Sequence, residues 1–566
     1  MRFLGAVAIF VIGLVASAVG LVDQLQNRPL DLISVTQELQ APTTYVVIPN
    51  RVLSAYPGQV TVSAKNADGV FIATARESDI EAWVGESQSV QLRLALYAEK
   101  EVIELVELER TGTGELIEPF GSDIWRGFSQ ENDVAWISVP EGNETGVLVA
   151  STGLAMAPRE VKITWDLPNQ ASPIAPITFI GLSLMAIGAA LALIQVIRGN
   201  SKTRPTRANR GPARKSIGEI LRLPKPVKSH ARRAKRSMTL IGSGLILATL
   251  SGCSPEYVNP ILNPSPSPQV DILTPVMTKG QIERVLAEIA VSVAASDAEL
   301  DRETLELRVA GPALSARRSF YNLARRTEAQ EPPQPILAEP IQLFLPSATD
   351  TWPRSVMVVT GEDSLQMLVL RQESAREQYK LYQYMNLLPD ITFPEVAAES
   401  VGASAIKPDS KFLLIAPKDL ALAVGDLLNN GAESGWASIV DAENQYIMDV
   451  ATVQQGLIAT LTNANLDFVH KITSDAPVLL SSAEGGALVG LYMTDTYTII
   501  PKEPGNAVAI TGDEALLLGT GGSATGIESR YGAMLLFHVP QAGSTQKVTL
   551  LGATQQLLTT TALGAR

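Results

Sequence analysis

A chain of 566 residues, 46% hydrophobic with a mean hydropathy of +0.14 and a formal net charge of −13, is long enough for several domains. Its single cysteine, Cys253, excludes an intrachain disulfide and a cysteine-built zinc site, and its three histidines (His230, His470, His538) argue against a multi-histidine metal centre. Fourteen of the 45 basic residues crowd into 198–237 beside one acid, Glu219, which leaves 31 basic against 57 acidic residues elsewhere. That basic segment is interrupted by proline and has no folded face to offer, so nucleic acid is not an expected partner.

Residues 1–22 are apolar from Phe3 to Val22 behind Arg2 alone, about twenty residues and enough to cross a bilayer. Ala16-Ser17-Ala18 fits a signal-peptidase site, so both a cleaved signal and a retained anchor are open. The anchor is favoured because the apolar run continues beyond that site. Residues 23–172 predict an all-β sandwich on the outer side of the membrane. Short apolar or alternating runs recur at Tyr45–Ile48, Gln59–Lys65, Val70–Ala75, Val90–Leu96, Val102–Leu108, Val134–Val139, Gly146–Ser151 and Val161–Asp166. One short helix interrupts them, with Ser78 and Glu81 spaced as a capping box. Four of the six tryptophans lie in this region, and core packing is their expected role.

Residues 174–197 carry no charge, and as a helix they would be about 36 Å long, enough to span with tilt. Gly181, Ser183 and Gly188 here, with Gly5, Gly13, Ser17 and Gly20 in the first run, would let two helices approach closely, and they equally fit the ordinary content of a span. The basic segment 198–237 then fixes orientation, because so many cations are retained in the cytoplasm. Its prolines prevent a long helix, and its charge favours an anionic inner leaflet. Residues 238–253 begin with an apolar run that is too short for the hydrocarbon core at about 21 Å and reads as the h-region of an export signal.

That run ends in Leu250-Ser251-Gly252-Cys253, which resembles a bacterial lipobox. The resemblance implies cleavage before Cys253, lipidation of its thiol, and membrane lipids as partners. The Pro-rich residues 254–277 would act as an extended spacer. The whole layout is similar to actinobacterial membrane proteins that hold a β domain between two membrane helices. The similarity rests on Val70-Phe71-Ile72-Ala73, on Arg76-Glu77-Ser78-Asp79-Ile80 and on Val161-Lys162-Ile163-Thr164-Trp165-Asp166.

From Thr278 one order occurs twice, at 278–416 and 417–566. The first copy has helices at Gly280–Ala295, Glu303–Val309 and Ala313–Ala324, then strands at Ile341–Leu345, Ser355–Thr360, Leu365–Arg371 and Lys380–Leu387. The second has helices at Leu420–Leu428 and Val450–Leu461. Its strands follow at Leu466–Ile472, Val478–Ser482, Ala487–Met493, Tyr497–Pro501, Ala533–Val539 and Val548–Leu551. Helices followed by antiparallel strands resemble the cone-shaped α+β NTF2-like fold, here in tandem. The region is also similar to an uncharacterised domain of actinobacterial lipoproteins, on Val309-Ala310-Gly311-Pro312-Ala313-Leu314, Trp352-Pro353-Arg354 and Tyr379-Lys380-Leu381-Tyr382.

Some NTF2-like proteins are isomerases or dehydratases with an acid and a His or Tyr inside the cone, and the residues here that fit that role are few. Asp467 and His470 stand three apart in one strand and therefore face opposite sides. His538 lies between Phe537 and Val539. Tyr382 and Tyr384 share one strand face, where a packed interior is expected over a binding wall. Gly519-Thr520-Gly521-Gly522 reads as a hairpin loop, since a phosphate cradle would have to open a helix. No residue is assigned a catalytic role, and no metal or cofactor is expected. The leading expectation is a non-enzymatic cell-envelope protein, binding or scaffolding other envelope proteins or cell-wall components. The alternatives are an enzyme for a small apolar substrate and a fusion precursor cut before Cys253 into a membrane protein and a lipoprotein.

Overall fold

The computed structural model describes residues 2–26, 32–96, 103–112, 116–139, 144–167, 175–199, 273–327 and 330–564. The basic segment beyond residue 199, the short apolar run with Leu250, Ser251, Gly252 and Cys253, and most of the Pro-rich spacer lie outside the described residues. The first half of the chain begins with α1 (Arg2–Gln26), β1 (Leu32–Glu38), β2 (Tyr45–Ile48), α2 (Asn50–Leu53), β3 (Gln59–Lys65), β4 (Val70–Arg76) and α3 (Glu77–Val84). It continues with β5 (Ser89–Leu96), β6 (Ile103–Arg110), β7 (Gly127–Glu131), β8 (Val134–Val139), β9 (Thr145–Ala150), β10 (Glu160–Asp166) and α4 (Ala175–Gly199).

Helices α1 and α4 belong to one compact unit. Each is long and apolar enough to cross a membrane, with windows Leu4–Leu21 and Thr178–Val196 of mean hydropathy 2.5 and 2.2. They touch backbone to backbone. A Cβ at Gly13 would stand 2.6 Å from Met185 N, one at Gly181 2.6 Å from Ser17 N, and one at Gly188 2.7 Å from Phe10 N.

The second unit contains the β domain and the C-terminal half together. In the β domain a four-stranded sheet, β1-β10-β3-β8, accompanies a six-stranded sheet, β6-β5-β2-β9-β4-β7, in which only the β2–β5 pair is parallel. Alternating burial along β3 and β10 marks one solvent face on the smaller sheet. Strands β4 and β9 are buried throughout, so the centre of the larger sheet is covered on both faces. On one of them Phe71, Ala73, Ala75 and Leu148 pack with Trp83 and Trp125, and Ala375 from the C-terminal half completes the cluster. The Ser78–Glu81 capping box does not form. Helix α3 starts two residues earlier, its N-cap Arg76 makes no side-chain cap bond, and the Arg76 side chain turns to Asp79 instead. Strands β1 and β7 have no counterpart among the sequence runs, because their burial is partial.

The C-terminal half begins with α5 (Lys279–Glu299), α6 (Arg302–Arg308), α7 (Gly311–Ala324), β11 (Ile341–Pro346), β12 (Arg354–Thr360), β13 (Gln366–Gln372) and β14 (Lys380–Leu387). After α8 (Pro417–Asn430) and α9 (Gln445–Thr460) come β15 (Ala464–Ile472), β16 (Val478–Ser481), β17 (Ala487–Pro501) and β18 (Val508–Ala509). The last elements are α10 (Gly512–Leu518), β19 (Gly522–Ser523), β20 (Ile527–Val539) and β21 (Thr549–Ala562). Their strands do not form two separate cones. They join one nine-stranded antiparallel sheet, β11-β12-β13-β14-β21-β20-β17-β15 with β16 also on β17, and the halves meet where Asn386 and Leu387 pair with Ala553 and Gly552.

The physical reason lies in the long strands. Alternate residues of β17 and β20 (Leu488, Tyr492, Met534, Leu536) face a core shared with Ile282, Leu286 and Phe320 of α5 and α7. The intervening residues (Val489, Leu491, Leu535, Phe537) face Leu420, Val424 and Leu427 of α8. A sheet with apolar side chains on both faces needs helices on both faces, and the two helical groups supply one cover each.

Candidate functional site

Polar chemistry gathers at three places in the second unit. The first is a seam between the β domain and the C-terminal half. Arg76, at the end of β4 and 1% exposed, donates from Nε and Nη2 to the two carboxylate oxygens of Asp79 at 3.0 and 2.9 Å. Its Nη1 reaches across to Thr274 O at 3.0 Å and Thr349 O at 3.1 Å. From the other side, Arg354 Nη2 lies 2.8 Å from Asp79 Oδ1, an ionic contact without hydrogen-bond alignment. The Arg354 guanidinium also stacks 3.6 Å above the Trp352 ring.

Asp123, 1% exposed, anchors the seam's other end. It accepts Arg308 Nη1 at 2.6 Å and the Tyr379 amide at 2.7 Å. Gln281 donates to the carbonyls of Asp123 and Ile124 at 3.1 and 3.0 Å, while its Oε1 accepts the amide of Thr278 and closes the capping box of α5. Arg376 then donates to Trp83 O at 2.7 Å and Val84 O at 2.9 Å, two of the carbonyls that the end of α3 leaves without helical partners. A buried carboxylate costs several kcal/mol in lost hydration, and here matched guanidinium and amide donors offset that cost.

The second place is a buried histidine–carboxylate network. His470 in β15 stands directly opposite Asp495 in β17, and their side chains are 0% and 1% exposed. The ring Nδ1 lies 2.7 Å from Asp495 Oδ1, and because a carboxylate only accepts, Nδ1 carries the proton. Nε2 meets the amide of Gln454 from α9 at 3.2 Å. The second oxygen of Asp495 accepts Gln555 of β21 at 2.7 Å and the Tyr446 hydroxyl at 3.5 Å. Burial, then the nearby Asp495, pushes Tyr446 well above the usual phenol range and Tyr497 up to about 12, so both phenols stay protonated. Helix α8 packs against the strand here at Gly425, where a Cβ would sit 3.3 Å from both the Cβ and the carbonyl oxygen of His470.

The third place is a cleft of about 850 Å³ between residues 388–395, the start of α9 and the end of β20. It is acid-rich: Asp390, Glu395, Asp441, Glu443 and Glu484 line it with Lys547 and His538. Lys547 is engaged, donating to Ala437 O at 2.7 Å. Burial lowers the His538 pKa from its ordinary 6.5, and Glu484 partly counters that. The ring fills space that only glycine leaves, since a Cβ at Gly486 would lie 2.9 Å from His538 Nε2.

A family model described as a domain of unknown function (DUF8094) matches residues 273–562. The chain belongs to this family. No curated protein and no solved structure matches the chain. The DUF8094 match begins at the start of the described C-terminal half and runs through β21, so one domain spans both sets of helices and strands, as the continuous sheet requires.

Within the DUF8094 region the residues singled out in the sequence are dispersed. Asp467 is exposed on β15 opposite Thr498, away from the buried His470 side chain. Tyr382 and Tyr384 line no open wall. Both are buried in the core beneath α5 and α7, under the guanidiniums of Arg371 at 5.0 Å and Arg317 at 5.2 Å. The Gly519–Gly522 stretch follows helix α10 instead of opening one: Gly519 caps α10 with φ +78°, and Gly522 begins β19. Sequence reasoning missed Asp495, though Leu491, Met493 and Asp495 alternate on one strand face and a carboxylate in that series is a signal. It missed Arg76, Asp79, Asp123, Arg308 and Arg354 as well. Their partners lie up to 275 residues apart (Asp79 and Arg354), where spacing is silent.

Proposed function

We propose that this chain is a non-enzymatic scaffolding and binding module of an actinobacterial cell envelope. In this reading α1 and α4 cross the membrane, residues 198–237 stay in the cytoplasm, and the β domain and DUF8094 region work together on the outer face. Cys253 carries a lipid, and the partners are membrane lipids and other envelope proteins or cell-wall components. The observation that carries the reading is the seam. Buried ion pairs join the β domain, which stands between two span-length helices in the sequence, to the DUF8094 region, so an anchor on either would hold both.

An enzymatic reading of NTF2-like type would draw on His538, which borders an open cleft near Glu484. The acid-rich lining suits a polar or cationic partner better than a small apolar substrate, and the acid and histidine that do converge, Asp495 and His470, are buried. Both features favour binding over catalysis.

Protease added to intact cells tests the placement. Digestion of 32–167 and 273–564 with survival of 198–237 is the expected pattern, and survival of the C-terminal half untouched would overturn it. Incorporation of labelled palmitate into the native chain, lost in Cys253→Ala, is the expected outcome for the lipid.

A further inference from the structure

We propose that the seam is a complete protein–protein interface, so that the β domain (32–167) and the DUF8094 region (273–562) remain a complex when the chain between them is cut. The two faces differ in chemistry and match. The DUF8094 side presents guanidiniums: Arg354 to Asp79, Arg308 to Asp123, Arg376 to Trp83 O and Val84 O, and Arg284 to Trp125 O at 2.8 Å. The β-domain side answers with two carboxylates, each 2% exposed or less, with backbone carbonyls from the end of α3 and from 123–125, and with one guanidinium of its own, Arg76 to Thr274 O and Thr349 O. Arginine recognition of fixed acceptors is directional and gives both register and specificity.

An apolar anchor accompanies the polar one. Ala375 is 5% exposed inside the β domain's aromatic cluster, and Trp352 packs against the same cluster. Buried apolar centre, paired charges and satisfied carbonyls are the parts of a stable interface between separate proteins. None of these contacts uses the connecting residues 168–268. Processing before Cys253 would therefore yield a two-chain complex in place of two strangers. The inference does not rest on which side of the membrane the domains occupy.

The test uses the full chain reconstituted in neutral lipid vesicles, with a specific protease site introduced at 260–264, beyond Cys253. After cutting, the C-terminal piece has only the seam to hold it to the membrane-bound N-terminal piece. Retention on washed vesicles is expected, with slow release on dilution. Asp123→Ala and Arg376→Ala should each speed that release about tenfold or more, whereas Asp467→Asn, exposed and off the seam, should leave it unchanged. Prompt release of the wild-type piece would overturn the inference. So would equal retention in the Asp123→Ala/Arg376→Ala double variant, which would place the attachment elsewhere. If a variant fails to fold, the cut wild-type chain still decides.

Discussion

Asp495 shows what one carboxylate can organise when water is excluded. It holds the protonated Nδ1 of His470, the amide of Gln555 and the hydroxyl of Tyr446, from three different elements. Asp495→Ala would leave the buried Nδ1 of His470 without an acceptor, while Gln555 keeps the Tyr446 hydroxyl at 3.4 Å, a loss of about 1–3 kcal/mol in unfolding free energy. Asp467→Ala, on the same hairpin but exposed, should change it by less than about 0.5 kcal/mol. Urea denaturation of the two variants side by side separates these outcomes, and equal midpoints would mean that the network contributes nothing. His538 behaves differently because its burial is penalised by protonation. Its folded pKa is below the unfolded value of 6.5, so the unfolded chain binds the extra proton first as pH falls. Stability should therefore decline as pH drops below about 6.5 toward the folded value, and His538→Gln should flatten that part of the profile. Denaturation midpoints at pH 7.5 and 5.5 measure the slope. Of these residues the sequence exposed His538 and His470 by their rarity. It could not expose the carboxylate that pairs with His470, because strand register is set by the whole sheet and not by neighbours in the chain.

At the scale of elements, the α1–α4 pair depends on residues with no side chain. Gly13, Gly181 and Gly188 sit where the two backbones meet, so a larger residue at any of them has to push the helices apart. Gly20 faces Thr178, where an added Cβ would lie 2.5 Å from its hydroxyl and 3.4 Å from its Cα. A Gly20→Cys/Thr178→Cys chain lacking Cys253 should thus form a disulfide in membranes, seen by gel mobility after the intervening segment is cut. Adding Gly181→Leu should abolish that bond; its persistence would mean that the helices do not meet through this face. These glycines were visible in the sequence because small residues in an apolar span are a recognised pattern. Strand β21 was not. Only its first residues, Val548–Leu551, read as strand, since Thr554 to Thr561 is rich in Thr and Gln and carries too few apolar residues to show a period. Yet β21 is the strand that pairs β14 with β20, so missing it turned one sheet into two apparent domains.

For the whole molecule, the sequence marked the apolar segments and most strands, because hydropathy and alternation are local properties. Which bodies touch is not local. Asp123 and Arg308 are separated by 185 residues that include α4, the basic segment and the apolar run, and nothing in either residue's neighbourhood names the other. Their contact makes a thermodynamic claim. Arg308 is only 5% exposed, and Asp123 takes both its guanidinium and the Tyr379 amide, so separating the two domains would strip Asp123 of both donors, while Arg308 would keep only Glu288 and the Tyr379 carbonyl. The β domain and DUF8094 region should consequently unfold together. Calorimetry of the detergent-solubilised chain should give one cooperative transition for this unit. Asp123→Ala leaves Arg308 with Glu288 and the Tyr379 carbonyl as its remaining acceptors and the Tyr379 amide without one, at a cost of about 1–3 kcal/mol, and the transition should split with the β domain melting first. A single transition at the wild-type midpoint in that variant would mean that the seam transmits no stability between the domains it joins.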